Sequence, residues 1–137
     1  MNAAFQEFKN LYDFNCVVFH DVDMLPENDK NMYLCKKDPV HLSPKINKYN
    51  YRYPYGTDFG GVTMMSREQY ELVNGHTNLF WGWGKEDSDM EFRLRTKGLV
   101  IAKPDDIDTG RYWVVFWKIS CFGVKQGHLR AYLGQKT

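Results

Sequence analysis

The sequence predicts an α/β domain, a mixed sheet with flanking helices and long loops. Three observations carry that prediction. Short β-rich apolar runs fall at residues 14–19, 59–65, 99–103 and 112–119. Helical spacing or capping signals separate several of them, at residues 1–12, 66–75 and 86–98. The length of 137 residues, 43% hydrophobic and 16% aromatic, suits one modest domain.

In chain order, Phe5, Phe8, Leu11 and Tyr12 recur at helical spacing, which predicts an amphipathic first helix whose apolar face packs on the body. Residues 14–19 predict a buried strand that runs directly into His20, Asp21, Val22 and Asp23, and then Pro26. Residues 25–57 hold all but one of the prolines, many Asn, Asp, Lys and Tyr, and little periodicity, so they predict a long irregular excursion of the kind that shapes sites. Residues 59–65 predict a strand entered through Gly60 and Gly61. Ser66, with Gln69 three residues later, is a capping box for the next helix, which Gly75 closes. A Gly/Trp loop at 78–84 leads into Glu86, Asp87, Ser88 and Asp89, acids favoured by a helix dipole, and Gly98 stops the helix they open. Residues 99–103 and 112–119 predict two more strands around a polar turn at Pro104, Asp105 and Asp106.

Composition excludes several function classes. Eighteen basic residues against seventeen acidic ones, scattered along the chain, give a net charge of +1 and no electrostatic footprint for nucleic acid. No run of about 18 apolar residues exists, and the opening MNAAFQEFKN lacks the order of a signal peptide, so neither a membrane span nor a targeting segment is expected in this chain. The length cannot hold two complete halves of a doubly wound nucleotide-binding fold. Cys16, Cys35 and Cys121 are too few for a disulfide-stapled mini-protein.

The chemistry-bearing residues form three groups. Asp21 and Asp23 flank Val22, and carboxylates at i and i+2 of an extended chain point the same way, about 7 Å apart. That spacing suits a division of labour, one carboxylate on a hard divalent cation and the other receiving ligand hydroxyls. An EF-hand loop is excluded, because Pro26 occupies its turn glycine and Met32 its bidentate glutamate. Cys16, His20, Cys35 and His41 offer zinc-type ligands, yet four strand steps put Cys16 and His20 roughly 13 Å apart, too far for one ion. A Cys16–Cys35 disulfide is the better reading. The second group, Trp81 to Asp89, combines stacking faces for a sugar, glycines for close backbone approach and a carboxylate able to take a hydroxyl proton; a Trp-rich core turn capped by acids explains it equally well. Tyr53, Tyr55, Gly56, Phe59, Gly60 and Gly61 form a third aromatic and glycine-rich element suited either to carbohydrate or to packing.

Taken in order, FHDVDMLPENDKNMYLC, YPYGTDFGGVTMMS and FWGWGKEDSD resemble the β-1,4-galactosyltransferase family of Golgi enzymes with a GT-A fold. The resemblance is collinear from about residue 5 to Tyr112. It implies a partial GT-A, Rossmann-like catalytic domain over residues 1–112 and a divergent tail over 113–137, within a type II membrane protein of the Golgi lumen. By the family pattern Asp23 ligates manganese, and Asp21, Gly61, Trp83 and Glu86 lie at the donor sugar. Asp87 is the catalytic base, Tyr55, Asp58 and Ser88 lie on the acceptor side, and Cys16 pairs with Cys35. Lys85 and Ser88 depart from the pattern's Gly and Asp. Asp58 stands where many members carry the tyrosine that favours galactose over N-acetylgalactosamine. Val114 and Trp117 replace the methionine and histidine that complete the family's manganese shell, so Mn2+ is expected to be held loosely.

The resemblance implies inverting transfer of galactose from UDP-galactose to the 4-hydroxyl of an acceptor ending in GlcNAc or Glc. Asp87 would act as base and a cation at Asp23 would neutralise the leaving diphosphate. One alternative is an inactive fragment or pseudoenzyme that keeps a sugar-binding surface, and another is a β-1,4-transferase that uses UDP-GalNAc. Polypeptide N-acetylgalactosaminyltransferases share the general layout, but their Asp-x-His metal motif does not match Asp21-Val22-Asp23.

Overall fold

The computed structural model describes residues 1–52 and 59–115. Helix α1 (Asn2–Leu11) precedes strand β1 (Cys16–His20), followed by β2 (Met24–Pro26), β3 (Val40–His41) and β4 (Lys45–Ile46). After a 3-10 turn at Asn47–Tyr49 come β5 (Val62–Ser66), α2 (Arg67–Leu72) and α3 (Glu86–Thr96). A second 3-10 turn, Ile107–Gly110, leads into β6 (Arg111–Val114). The strands form two three-stranded sheets, β1-β5-β3 and β2-β6-β4. Every pair is antiparallel except β4 with β6.

β5 is the central strand of the first sheet, and its alternation decides the core. Val62 and Met64 face a cluster between the sheets with Met24, Val40, Leu42, Tyr112 and Val114. Met65 faces the helices, where Phe5, Phe59, Tyr70, Val73, Met90 and Leu94 pack. The register Val17↔Met65 and Val18↔Met64 assigns β1 side chains to the same two faces. Fully burying a side chain such as Leu94 or Tyr112 is worth about 1.5–3 kcal/mol, so these two clusters supply most of the driving force.

Several expectations need correction. The strand at 14–19 is half-buried rather than buried, because β1 lies at the sheet edge. On α1 only Phe5 is buried; Phe8, Leu11 and Tyr12 are exposed, so its apolar stripe is mostly uncovered within this chain. The excursion after Leu25 contains β3 and β4, two-residue strands too short to leave a periodic signal. Residues 99–103 yield only an isolated bridge, Val40↔Ala102. The capping box at Ser66 and Gln69 forms fully.

The excursion is tied down by the Cys16–Cys35 disulfide, with Cα atoms 5.9 Å apart. The Tyr33 and Tyr112 hydroxyls also meet at 2.8 Å. Arg93 of α3 donates to the carbonyls of Val73 and Gly75 and pairs with Asp89 at 2.7 Å, fixing the start of α3 against the turn after α2. No helix among the described residues is long and apolar enough to cross a membrane.

Candidate active site at the seam between the sheets

The chain leaves the first sheet at the end of β1 and enters the second at β2, and Asp21, Val22 and Asp23 make that crossing. They form a turn rather than an extension of the strand, since the Met24 N–H donates to the Asp21 carbonyl at 3.1 Å and Val22 is 99% exposed. The i, i+2 alternation therefore does not orient these carboxylates. The two sheets pin the turn instead: Asp21 N–H donates to Gly61 O at 3.0 Å, and Val115 N–H donates to Asp23 O at 2.7 Å.

Gly60 and Gly61 form the opposite edge of the site. Gly61 has φ +71°, and a Cβ there would sit 2.6 Å from Met24 Sδ and 2.8 Å from Ser43 Oγ. A side chain is thus barred by both conformation and space. A Cβ on Gly60 would lie 2.5 Å from Asp87 Cγ, so the Asp87 carboxylate rests against the Gly60 backbone. Ser43 Oγ accepts from Val62 N–H at 2.8 Å and donates to Gly60 O at 3.4 Å.

The third edge is the N-terminus of α3. Gly82, Gly84 and Lys85 all have positive φ, and this left-handed run turns the Trp loop into the helix. Glu86 and Asp87 then open α3, where the helix dipole favours carboxylates.

These edges enclose a cavity of about 220 Å³ lined by Asp21, Asp23, Gly60, Gly61, Trp83, Glu86 and Asp87. Trp83 is 87% exposed at the rim, with Lys48 Nζ 5.5 Å from its ring centroid. Ser88 is exposed and outside the cavity lining. Tyr55, Asp58 and Trp117 lie outside the described residues.

The cavity also receives side chains that sequence pattern did not single out for it: His41, Ser43, Lys48, Tyr49 and Arg52. His41 was legible only as a metal-ligand type, and the basic residues only as loop charges. The segment that carries Lys48, Tyr49 and Arg52 is held in an unusual shape, with Asn50 and Tyr51 at φ 51° and 56°. Tyr51 donates to Glu27 Oε1 at 3.0 Å beneath the Arg111 guanidinium, which stands 3.8 Å from its ring centroid.

Protein atoms crowding the Asp21 carboxyl, with the charges of Asp23 and Glu86, raise its pKa above the usual carboxylate range, against the pull of His20. The side chain still keeps contact with solvent. Burial, aided by Lys103, lowers His41 to about 4, so its imidazole is neutral at physiological pH.

A cation centre requires converging donors, and the described residues do not supply one. Val114, in the cavity wall, offers no donor atom. Among the described residues no three His, Cys, Asp or Glu side chains gather as a metal site. Asp23 alone does not make a closed manganese shell.

The family model described as the N-terminal domain of galactosyltransferase matches residues 40–116. That described as the N-terminal region of glycosyl transferase group 7 matches residues 1–36. The chain belongs to the β-1,4-galactosyltransferase family. Among its relatives, β-1,4-galactosyltransferase 5 of Sus scrofa is 46% identical over 111 residues, covering 81% of this chain and 28% of that protein. β-1,4-Galactosyltransferase 4 of Cricetulus griseus is 42% identical over 116 residues, covering 85% and 33%. The chain thus spans about a third or less of the length of these β-1,4-galactosyltransferases.

The catalytic domain of Drosophila β-1,4-galactosyltransferase 7, solved with xylobiose, superposes with a TM-score of 0.71 at 29% identity, over 89% of this chain and 55% of that one. A mutant of the same enzyme, complexed with manganese, UDP-Gal and xylobiose, gives 0.70 at 27% identity over 99% and 58%. The fold is accordingly that of GT-A galactosyltransferase catalytic domains, a family of hexosyltransferases.

Proposed function

We propose that this chain carries the acceptor-activating and sugar-binding part of an inverting β-1,4-galactosyltransferase site. It would transfer galactose from UDP-galactose to the 4-hydroxyl of a glycan ending in β-linked GlcNAc or glucose, in the Golgi lumen. The observation that carries this reading is the convergence of Asp87, Asp21 and Gly60–Gly61 on one cavity from three separate elements.

In this reading Asp87 takes the proton from the acceptor hydroxyl as its oxygen bonds to the anomeric carbon. The bond from that carbon to the diphosphate oxygen breaks in the same step, and its electron pair leaves with UDP. A single displacement inverts the anomeric centre. Asp21 and Glu86 accept hydrogen bonds from donor-sugar hydroxyls, and Gly61 lets the sugar approach the backbone. Lys48 and Arg52 are the basic side chains that line the cavity for the departing diphosphate. Trp83 covers the sugar from the rim. Tyr55, Asp58 and Ser88 are assigned to the acceptor side.

The test is Asp87→Asn with UDP-galactose and a panel of GlcNAc, glucose and xylose β-glycosides. Product should fall at least a hundredfold without loss of folding, and undiminished transfer would remove Asp87 as base. UDP-GalNAc belongs in the same panel, because Asp58 replaces the tyrosine associated with galactose selection. The apolar Val114 in the cavity wall favours a second reading, a sugar-binding surface without catalysis. Saturable UDP-galactose binding with no transfer to any acceptor would select it.

A further inference from the structure

Residues 47–52 follow β4, and they carry a tyrosine in a conformation that tyrosine rarely takes. Tyr51 has φ 56°, beside Asn50 at 51°. Asparagine visits the left-handed region routinely, whereas a bulky aromatic stays there only where its surroundings over-determine it. The surroundings supply that restraint. The half-buried Tyr51 ring lies against the Arg111 guanidinium, with Cζ 3.8 Å from the ring centroid, and the Tyr51 hydroxyl donates to Glu27 Oε1 at 3.0 Å.

The pair that receives Tyr51 is itself fixed. Just past the β2–β6 ladder, Glu27 N–H donates to the Arg111 carbonyl at 3.0 Å, and Arg111 Nε stands 3.7 Å from Glu27 Oε2. The start of the segment hangs on the same strand, because Asn47 Oδ1 accepts from Val114 N–H at 2.8 Å and from Lys48 N–H at 2.9 Å. The segment is thus anchored at two points of β6, Val114 and Arg111. Lys48 and Tyr49 lie between the anchors and Arg52 just beyond them, and all three line the cavity. Lys48 Nζ stands 5.4 Å from the Tyr49 ring centroid and 5.5 Å from that of Trp83. Asn47, Tyr51, Glu27 and Arg111 are outside the cavity lining.

We infer that Tyr51, received by Arg111 and Glu27, is a positioning residue: it locks residues 47–52 in the shape that turns Lys48 and Arg52 toward the departing diphosphate. This rests on the reading of those two basic side chains as the diphosphate site. It extends that reading to a residue that touches no substrate.

The test sets phosphate binding against stability. Inorganic pyrophosphate is titrated into the protein at low salt without added metal and followed by its ³¹P resonance, and urea melts are run on the same variants. Tyr51→Gly accepts φ 56° without strain but gives up both the ring and the hydroxyl. With the competent shape less populated, the folded variant should bind pyrophosphate about threefold more weakly or worse. Tyr51→Phe keeps the ring on Arg111 and should bind more nearly as wild type does. A purely structural role would lower the urea midpoint and leave the affinity of the folded protein alone, so wild-type affinity in folded Tyr51→Gly overturns the inference. A Phe variant no better than Gly overturns it as well. Glu27→Ala is a second variant, needed if Tyr51→Gly does not fold. Removing a negative charge would by itself tighten pyrophosphate binding, so a fall of about twofold there reports lost positioning, and unchanged or tighter binding overturns the inference. Failure of the diphosphate reading shows separately: pyrophosphate that ignores wild type, or that binds Lys48→Ala and Arg52→Ala as well as wild type, removes that reading and this inference with it. If those two variants weaken binding and Tyr51→Gly does not, the inference alone falls.

Discussion

Replacing Gly60 by alanine puts a methyl group 2.5 Å from Asp87 Cγ, where carbon atoms in contact stand about 3.5–4.0 Å apart. Something must open by about 1 Å. The Gly60 backbone is held by Ser43 and by its place between the buried Phe59 and β5, whereas the Asp87 carboxylate stands at the end of a side chain that turns about two torsions. Asp87 therefore yields, and it swings away from the cavity. Overpacking of this kind costs about 1–3 kcal/mol of stability. Against the 5–15 kcal/mol typical of a folded domain, that leaves the unfolded fraction negligible near room temperature. A displacement of about 1 Å at the proposed base, by contrast, would cost roughly a hundredfold in rate. The assay is transfer from UDP-galactose measured beside thermal unfolding, with Asp87→Asn as the floor. Gly60→Ala should lower Tm by a few degrees and drop the rate near that floor. Wild-type turnover in a folded Gly60→Ala protein would show that this contact does not seat the carboxylate.

Three other perturbations have definite signs. Lys85 precedes α3 with φ 77°, a conformation that costs an L-residue about 1–2 kcal/mol, so Lys85→Gly should gain about 0.5–1 kcal/mol after the entropy of the added glycine, raising Tm by about 2–4 °C. His41 is depressed to about 4 in the fold from 6.5, so the unfolded chain binds a proton that the native one refuses between those values. Its share of stability is complete above pH 6.5 and falls by about 1.4 kcal/mol per pH unit as pH drops toward 4; urea melts at several pH values should show a shallower slope in His41→Phe. Reducing the Cys16–Cys35 bridge, which joins residues 19 apart in sequence, should cost about 3 kcal/mol, read as a lower urea midpoint in dithiothreitol.

What could be read from the sequence follows from how local each signal is. The capping box at Ser66 and Gln69, the stop at Gly98 and the acidic start of α3 are short-range chemistry, and each forms where its residues stand. The edge position of β1 was hidden because burial of Val17 and Val18 depends on which strands lie beside them, information that no alternation pattern carries. The turn at Asp21–Asp23 departs from an extended strand for a related reason: the apolar run before it reads as a strand, but the chain changes sheet there, and pairing with Gly61 and Val115 sets its direction. His41, Ser43 and Arg52 join the cavity across separations that only the topology creates.

The seam explains why these distant residues meet. In the antiparallel pair β1–β5, His20 lies opposite Val62, so the end of β1 coincides with the start of β5. Asp21 leaves the sheet at the point where Gly61 enters it, and their backbones are joined at 3.0 Å. Strand ends where the chain changes layers present polar backbone groups with no ladder partner, and such places are where open α/β sheets bind ligands. The second sheet closes the far side, because β4 and β6 bring Ile46 and Val114 to the same cavity. The helices pack behind the first sheet, and α3 sends its N-terminus forward to the cavity. A carboxylate at that terminus can be seated firmly only if the backbone it meets is itself fixed. That makes Gly60, and Ser43 which holds its carbonyl, as consequential for the proposed chemistry as the acids in the cavity.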